Sequence, residues 1–291
     1  NINIDDGTFT INASDAALHT NGNLVINGGT FSLSSGDDGM HADTSLTINQ
    51  GSIQVLESYE GIESTVITIQ DGQISLHSSD DGINVASGVD GSGMMPGGRP
   101  GGRGRPGQDN FATTGNNFLY INGGLIYVDA RGDGVDVNGS IAMSGGTLIV
   151  NGPVENMNGA LDYDGSFSIT GGYLLAAGSA GMAMAPDTTS TQPSLLLNLS
   201  SAQAAGELIH IQNSSGQDIL TFAPARQYQS ITFSSPDLVQ GESYTIYLGG
   251  TASGSPQDGL YPAGGYSAGT QYTQLTLSGI VTGSGSRGGR P

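Results

Sequence analysis

The sequence has no cysteine, no tryptophan and no lysine, and its 291 residues carry only 7 cationic side chains, all arginine. Without cysteine there are no disulfides to report a compartment, so location has to be read from composition. Seven cations against 26 acidic residues leave a formal net charge of -19. That excludes nucleic acid as a partner, because phosphate backbones are held by clustered Lys and Arg. No run of about 18 apolar residues occurs, so no helical membrane span is expected. The chain opens at Asn1 directly in strand-like alternation with no leader pattern, which reads as a mature or trimmed product.

What is abundant is glycine, at 49 positions, with Asn, Ser and Thr around it, while charged residues make up only 11%. This composition, with lysine missing, points to an extracellular or cell-surface protein. The acid surplus repels itself at neutral pH unless something neutralises it, and divalent cations are the obvious candidates. Five arginines (Arg99, Arg103, Arg105, Arg287 and Arg290) sit in Gly-rich stretches, leaving Arg131 and Arg226 in the patterned parts.

The strongest signal is internal repetition. Gly7, Gly29, Gly51 and Gly72 each open an alternating run (GTFTIN, GTFSLS, GSIQVL, GQISLH), with separations of 22, 22 and 21 residues. The series resumes at Gly124, Gly146 and Gly172, separated by 22 and 26. Each unit runs strand, Asp-Gly or equivalent turn, short apolar pair, second strand and Gly. That is one coil of a right-handed parallel β-helix, with inward Val, Ile, Leu, Phe and Met stacking at about 4.8 Å per coil. A left-handed hexapeptide helix would repeat near about 18 residues instead.

The expected organisation is an all-β chain with the parallel β-helix over 1–185 and a small antiparallel β domain over 186–282. A Gly, Pro and Arg rich loop interrupts the helix at 88–116, and a flexible tail follows at 283–291. NSSG between the alternating runs ELIHIQN and DILTFA marks a hairpin in the second domain.

The chemistry lies in the acidic turns. SSGDDGMHAD, ESYEGIES, SSDDGINVAS and RGDGVDVNG fall in successive coils, so their side chains stack along one edge of the solenoid. Carboxylates about 5 Å apart repel, whereas a hard cation with six to eight oxygen ligands turns the same column into a crosslink. The candidate Ca2+ ligands are Asp37, Asp38, Asp43, Glu60, Asp80, Asp81, Asn84, Asp133 and Asp136. The bland alternative is that Asp-Gly is only a favoured turn dipeptide. None of these segments matches a twelve-residue EF-hand loop.

The repeated SSDDGI turn, the Gly, Met, Pro and Arg rich insertion and the stretch FAPARQYQSITFSSPDLVQGESYTIYLGG resemble a known family. It comprises bacterial carbohydrate-binding domain-containing proteins with a calcium-binding, pectate-lyase-like β-helix and no established catalytic centre. The resemblance implies binding to plant or microbial cell-wall polysaccharide and a role in adhesion or surface attachment. It also points to Asp37, Asp38, Asp80, Asp81 and Asp133 as metal ligands. The repeat GALDYDG departs from the DDGI form.

An enzyme has to be weighed, because related folds host lyases and hydrolases. A lyase needs a cationic base near bound calcium, and only Arg131 lies beside an acidic turn. Paired carboxylates could serve an inverting hydrolase, but no accompanying His-Gly or basic motif is present. No catalytic residue is therefore assigned. His19, His41, His77 and His210 show no zinc-ligand spacing and read as surface or turn residues. Sugar platforms favour exposed aromatic rings, and Tyr261, Tyr266 and Tyr272 are the weak candidates for such a platform. The competing class is a structural subunit of an extracellular fibre, a homopolymer built by end-on or strand-donation contacts from NINI and TQLTLSGIV.

Overall fold

The computed structural model describes residues 1–86, 116–261, 265–267 and 269–284. The expected insertion therefore lies outside the described residues except for residue 116, as does the tail from 285 on. Every regular element among the described residues is a strand. No helix there is long and apolar enough to cross a membrane.

The first part is a parallel β-solenoid with three faces. The first face stacks seven strands: Ile2–Ile4, Asn23–Ile26, Ser45–Ile48, Val66–Ile69, Phe118–Ile121, Ser140–Met143 and Phe167–Ile169. The second face begins with Thr8–Ala13, Thr30–Ser35, Ser52–Glu57, Gln73–Ser78, Leu125–Ala130, Thr147–Asn151 and Tyr173–Gly178. The third stacks Leu18–Thr20, Met40–Ala42, Ile62–Ser64, Ile83–Val85, Val135–Val137 and Leu161–Tyr163. Because side chains alternate across a strand, in-register stacking turns each inward position into a continuous apolar ladder. Ile26, Ile48, Ile69 and Ile121 form one such ladder, and all are fully buried. Each buried side chain of this size contributes about 1.5–3 kcal/mol relative to exposure. The repeat resumes in register across the insertion, Val66 pairing with Phe118.

The period is set at the corners. Gly72 has a φ of +116°, and a Cβ there would also lie 2.9 Å from the Gly51 carbonyl, so two reasons exclude a side chain. All seven period-marking glycines share the positive φ. Amides just before this corner bond coil to coil, Asn49 donating to Asn27 at 2.7 Å and Asn122 to Gln70 at 3.1 Å.

The C-terminal part both extends and covers the solenoid. Tyr228–Ser234 pairs antiparallel with Tyr173–Gly178 of the last coil, Ser194–Gln203 pairs with it in turn, and Val281–Ser284 closes that sheet. Gly283 and Ser284 thus belong to a strand rather than to the expected tail. A second sheet runs Asp218–Phe222, Ile209–Asn213, Ser243–Leu248 and Thr270–Thr276. The expected hairpin forms between its first two strands. The two sheets enclose a second core into which the solenoid's outward Ile149, Leu175 and Ala177 also pack. The ladder on that outer surface reads Thr10, Ser32, Gln54, Ser75, Tyr127, Ile149, Leu175. It turns from polar to apolar where the C-terminal sheets cover it.

A charged clasp fastens this cover. Arg226 Nε donates to Asp129, whose other oxygen lies 3.5 Å from His77 Nδ1, and Ala225 N donates to Asn151 Oδ1 at 2.7 Å. Burial works to raise the Asp129 carboxyl, but the bonds from His77 and Arg226 outweigh it and hold Asp129 below its ordinary range. A depressed carboxylate adds stability that is present above the unfolded pKa of about 3.9 and disappears as pH falls through the folded value. Arg226→Met should therefore lower the urea midpoint at about pH 6 and match the wild type at about pH 2. A gap that stays constant over that range would mean that Arg226 acts through packing alone.

Candidate functional site

At the corner entering the third face, the acidic turns stack by backbone bonds. Tyr59 N donates to Asp37 O at 2.8 Å, Asp80 N to Tyr59 O at 2.9 Å and Gly132 N to Asp80 O at 3.0 Å. This register places Asp38, Glu60, Asp81 and Asp133 in one column. Three residues further on, the outward position of each third-face strand supplies a second column of His41, Glu63, Asn84 and Asp136. The pattern acid, Gly, apolar, polar puts both columns on one strip of surface, because the apolar residue between them points inward. Met40, Ile62, Ile83 and Val135 are all fully buried.

The strip divides into two chemically different ends. At the first, His41 is fully buried, with Nδ1 at 3.0 Å from Asp38 Oδ2 and 2.8 Å from Glu63 Oε2, and Nε2 at 3.1 Å from Asp43 Oδ1. Burial alone would lower the imidazole, but the bonds to Asp38 and Glu63 reverse this and push it up to about 11. Asp38 is raised to about 7, first by burial and then by Glu63 and Asp37, with His41 working the other way. The buried imidazole of His41 thus offsets part of the charge of this cluster from within.

At the second end, among the described residues, no histidine stands among the carboxylates. Asp81, Asp133 and Asp136 each bring a carboxylate oxygen within 4.8 Å of the others. Asp81 accepts from Asp133 N at 2.6 Å, and Asp133 accepts from Gly159 N. Burial, followed by the charges of Asp133, Asp80 and Glu60, drives the Asp81 carboxyl well above its usual range. Glu60 is raised likewise, by burial and then by Glu63 and Asp38. Asn84, 3% exposed and in register with Asp136, donates Nδ2 to Glu60 at 2.8 Å, while its Oδ1 is buried with no partner. A buried carbonyl without a partner, in register with one of three crowded carboxylates, completes an oxygen set that suits a hard divalent cation. A Cβ at Gly132 would run into the Asp80 and Asp81 carboxylates, so glycine keeps this cradle open.

Of the residues expected to hold calcium, Asp81, Asp133 and Asp136 converge with Asn84 alongside. Asp38 and Asp43 belong to His41, Glu60 bridges the two ends, and Asp37 and Asp80 lie one position earlier in their turns. His41 and Glu63 were not among the expected ligands. The signal for both was the polar residue three positions after each turn acid. The reading of the histidines as surface or turn residues fails for His41 and for His210, both fully buried. His210 Nδ1 lies 2.7 Å from Thr221 Oγ1, its ring stacks on Tyr266 at 3.7 Å, and burial lowers its pKa.

The tyrosines proposed as a sugar platform are each tied into the C-terminal part. Tyr266 donates its hydroxyl to Gly249 O at 2.9 Å, and the Tyr272 hydroxyl accepts from Ser200 N at 2.9 Å. Tyr261 is held at its backbone by Thr221 O at 3.0 Å.

A family model described as carbohydrate-binding domain-containing protein matches residues 1–90, the first four coils with their acidic turns. No curated protein and no solved structure matches the chain. What the fold and the match define together is a β-solenoid similar, over that stretch, to proteins named for carbohydrate binding, a description that points to binding rather than catalysis.

Proposed function

We propose that this chain is a non-catalytic, calcium-stabilised β-solenoid that binds polysaccharide outside the cell, in adhesion or surface attachment. The observation that carries the calcium part is the cluster of Asp81, Asp133 and Asp136 beside the unpartnered Asn84 carbonyl. The family match over residues 1–90 supports the polysaccharide. Asp81, Asp133 and Asp136 would ligate through carboxylate oxygens and Asn84 through Oδ1, joining adjacent coils. Among the described residues the arginines are Arg131 and Arg226, and Arg226 is engaged by Asp129, which leaves little to serve as a lyase base.

Calorimetric titration of calcium into chelated protein should give binding that weakens at least tenfold in Asp133→Asn and is unchanged in Asp187→Asn, away from the strip. Equal binding by both variants would remove the metal reading. A glycan array with and without EDTA tests the polysaccharide. Incubation with pectins and β-glucans should release no unsaturated or reducing ends, and product that disappears in Arg131→Ala would establish an enzyme.

A further inference from the structure

Where the C-terminal sheets meet the open part of the second face, a cleft of about 140 Å³ lies between them. Its floor is the outward ladder at Gln54 and Ser75, its end wall is Tyr127, and its roof is Gln257 and Asp258. The roof is a rigid two-residue turn. Gln257 and Leu260 exchange backbone bonds, both at 2.8 Å, around Asp258 and Gly259, whose φ values are +52° and +81°. Such a pair is the Asp-Gly form of a tight hairpin turn. The turn is held from behind by Ala223 N donating to Gly259 O at 2.9 Å, so the cleft is formed before any ligand arrives.

The chemistry of the walls is selective. On a chain of net charge -19, the ladder leading to the cleft is Thr10, Ser32, Gln54 and Ser75, with no charge of either sign. Among the described residues, the arginine acting on the Tyr127 wall is Arg226, and it is engaged by Asp129. Tyr127 tilts against the His77 ring at 5.7 Å. Burial, then Asp129 and Asp258, push its phenol up to about 12, so it stays a neutral donor. Amides, hydroxyls, one aromatic wall and one carboxylate acceptor match the vicinal hydroxyls and apolar ring faces of a sugar. A uronate would instead meet the carboxylate of Asp258 in the roof. The volume lies below the 300 Å³ or so at which whole-ligand pockets begin, so the cleft takes about one ring. The rest of a chain would lie along the uncharged ladder, whose rungs repeat about every 4.8 Å.

We infer that this shoulder cleft is a subsite for an uncharged oligosaccharide, seated over Gln54 and Ser75 beneath Asp258 and running down the second face of the solenoid. The inference rests on the carbohydrate-binding reading and gives it a location independent of the acidic strip.

The test is calorimetry with neutral cello-, xylo- and mannohexaose and with acidic oligogalacturonate, in calcium and in EDTA. It uses the full chain, Gln54→Ala, Tyr127→Ala and Asp258→Asn. Asn tolerates the left-handed conformation, so the last variant keeps the turn, and exposed Gln54 carries no packing. At least one neutral hexaose should bind equally with and without calcium and weaken tenfold or more in Gln54→Ala and in Asp258→Asn. Neutral binding that survives all three substitutions would place the subsite elsewhere while leaving carbohydrate binding intact. Binding of oligogalacturonate alone would overturn the inference in the same way. If no sugar binds the unaltered chain, the carbohydrate reading falls with it.

Discussion

EDTA should lower the melting temperature of this chain by about 5 °C, and calcium but not magnesium should restore it. A cation that binds only the native state adds about 2.7 kcal/mol at a hundredfold excess over its dissociation constant. A folded chain of this size unfolds with an entropy of roughly 0.5 kcal/mol per degree, which converts the one figure into the other. The ligands come from different coils, Asn84 from one and Asp133 and Asp136 from the next, so they assemble only on folding. Magnesium demands a near-octahedral shell and keeps its waters, whereas calcium accepts the irregular oxygen set that turns of this kind offer.

The pH dependence of the chelated protein gives a second readout of the same charges. Asp81 and Glu60 have raised carboxyls, so the folded state holds protons that the unfolded chain releases. Their ionisation costs stability that is intact below the unfolded value of about 4 and lost as pH rises through the folded values. His41 acts in the same sense. Its contribution is complete below the unfolded value of about 6.5 and declines as pH rises from there toward the folded value of about 11. In EDTA the melt should therefore rise as pH drops from about 7.5 to about 5. With saturating calcium the slope should flatten or reverse, because protons then displace the ion. Melts that coincide with and without EDTA at every pH would sink the metal reading.

How far the sequence discloses this molecule depends on the sequence separation of the groups concerned. Gly7, Gly29, Gly51 and Gly72 announce the coil because one backbone geometry recurs at a fixed interval, and each sits at the positive φ the corner requires. The column of Asp38, Glu60, Asp81 and Asp133 follows from the same interval. The convergence of Asp81 with Asp133 was legible although 52 residues separate them, because the repeat carries the register across the insertion. The division of the strip was not. It depends on His41 bonding to Glu63 one coil away, and a histidine in a turn motif looks the same whether it is buried or solvated. The shoulder cleft was hidden for a different reason. Gln257 and Asp258 are brought over Gln54 and Ser75 by the docking of a non-repetitive part, and no periodicity connects them.

A large effect of a single methyl group is expected at Gly82, and it separates the two reasons for Asp-Gly in these turns. Gly82 does not have a positive φ, so the turn dipeptide is not there for conformational freedom. A Cβ at Gly82 would instead lie 2.6 Å from the Gly134 carbonyl and run into a γ-methyl of Val128 in the next coil. The same holds two coils earlier, where a Cβ at Gly39 would meet the Gly61 carbonyl at 2.5 Å and Val55 at 2.7 Å. Parallel coils cannot separate locally without giving up their ladder, here Gly82 N to Asp133 O at 3.0 Å and Ile83 N to Gly134 O at 3.2 Å. Forcing an extra methyl into such a site typically costs about 1–3 kcal/mol, and backbone on one side puts Gly82→Ala at the upper end. The control is Gly279→Ala, where the nearest atom to the new methyl would be Val281 O at 3.7 Å, an ordinary contact. It should stay within about 0.5 kcal/mol of the wild type. Urea unfolding in EDTA isolates the packing cost, and repeating it in calcium adds the displacement of Asp81, so the Gly82→Ala deficit should widen when the metal is present. A Gly82→Ala protein that unfolds with the wild type in EDTA would show that the coils have room to spare at this corner and that the Asp-Gly repeat reflects turn preference alone.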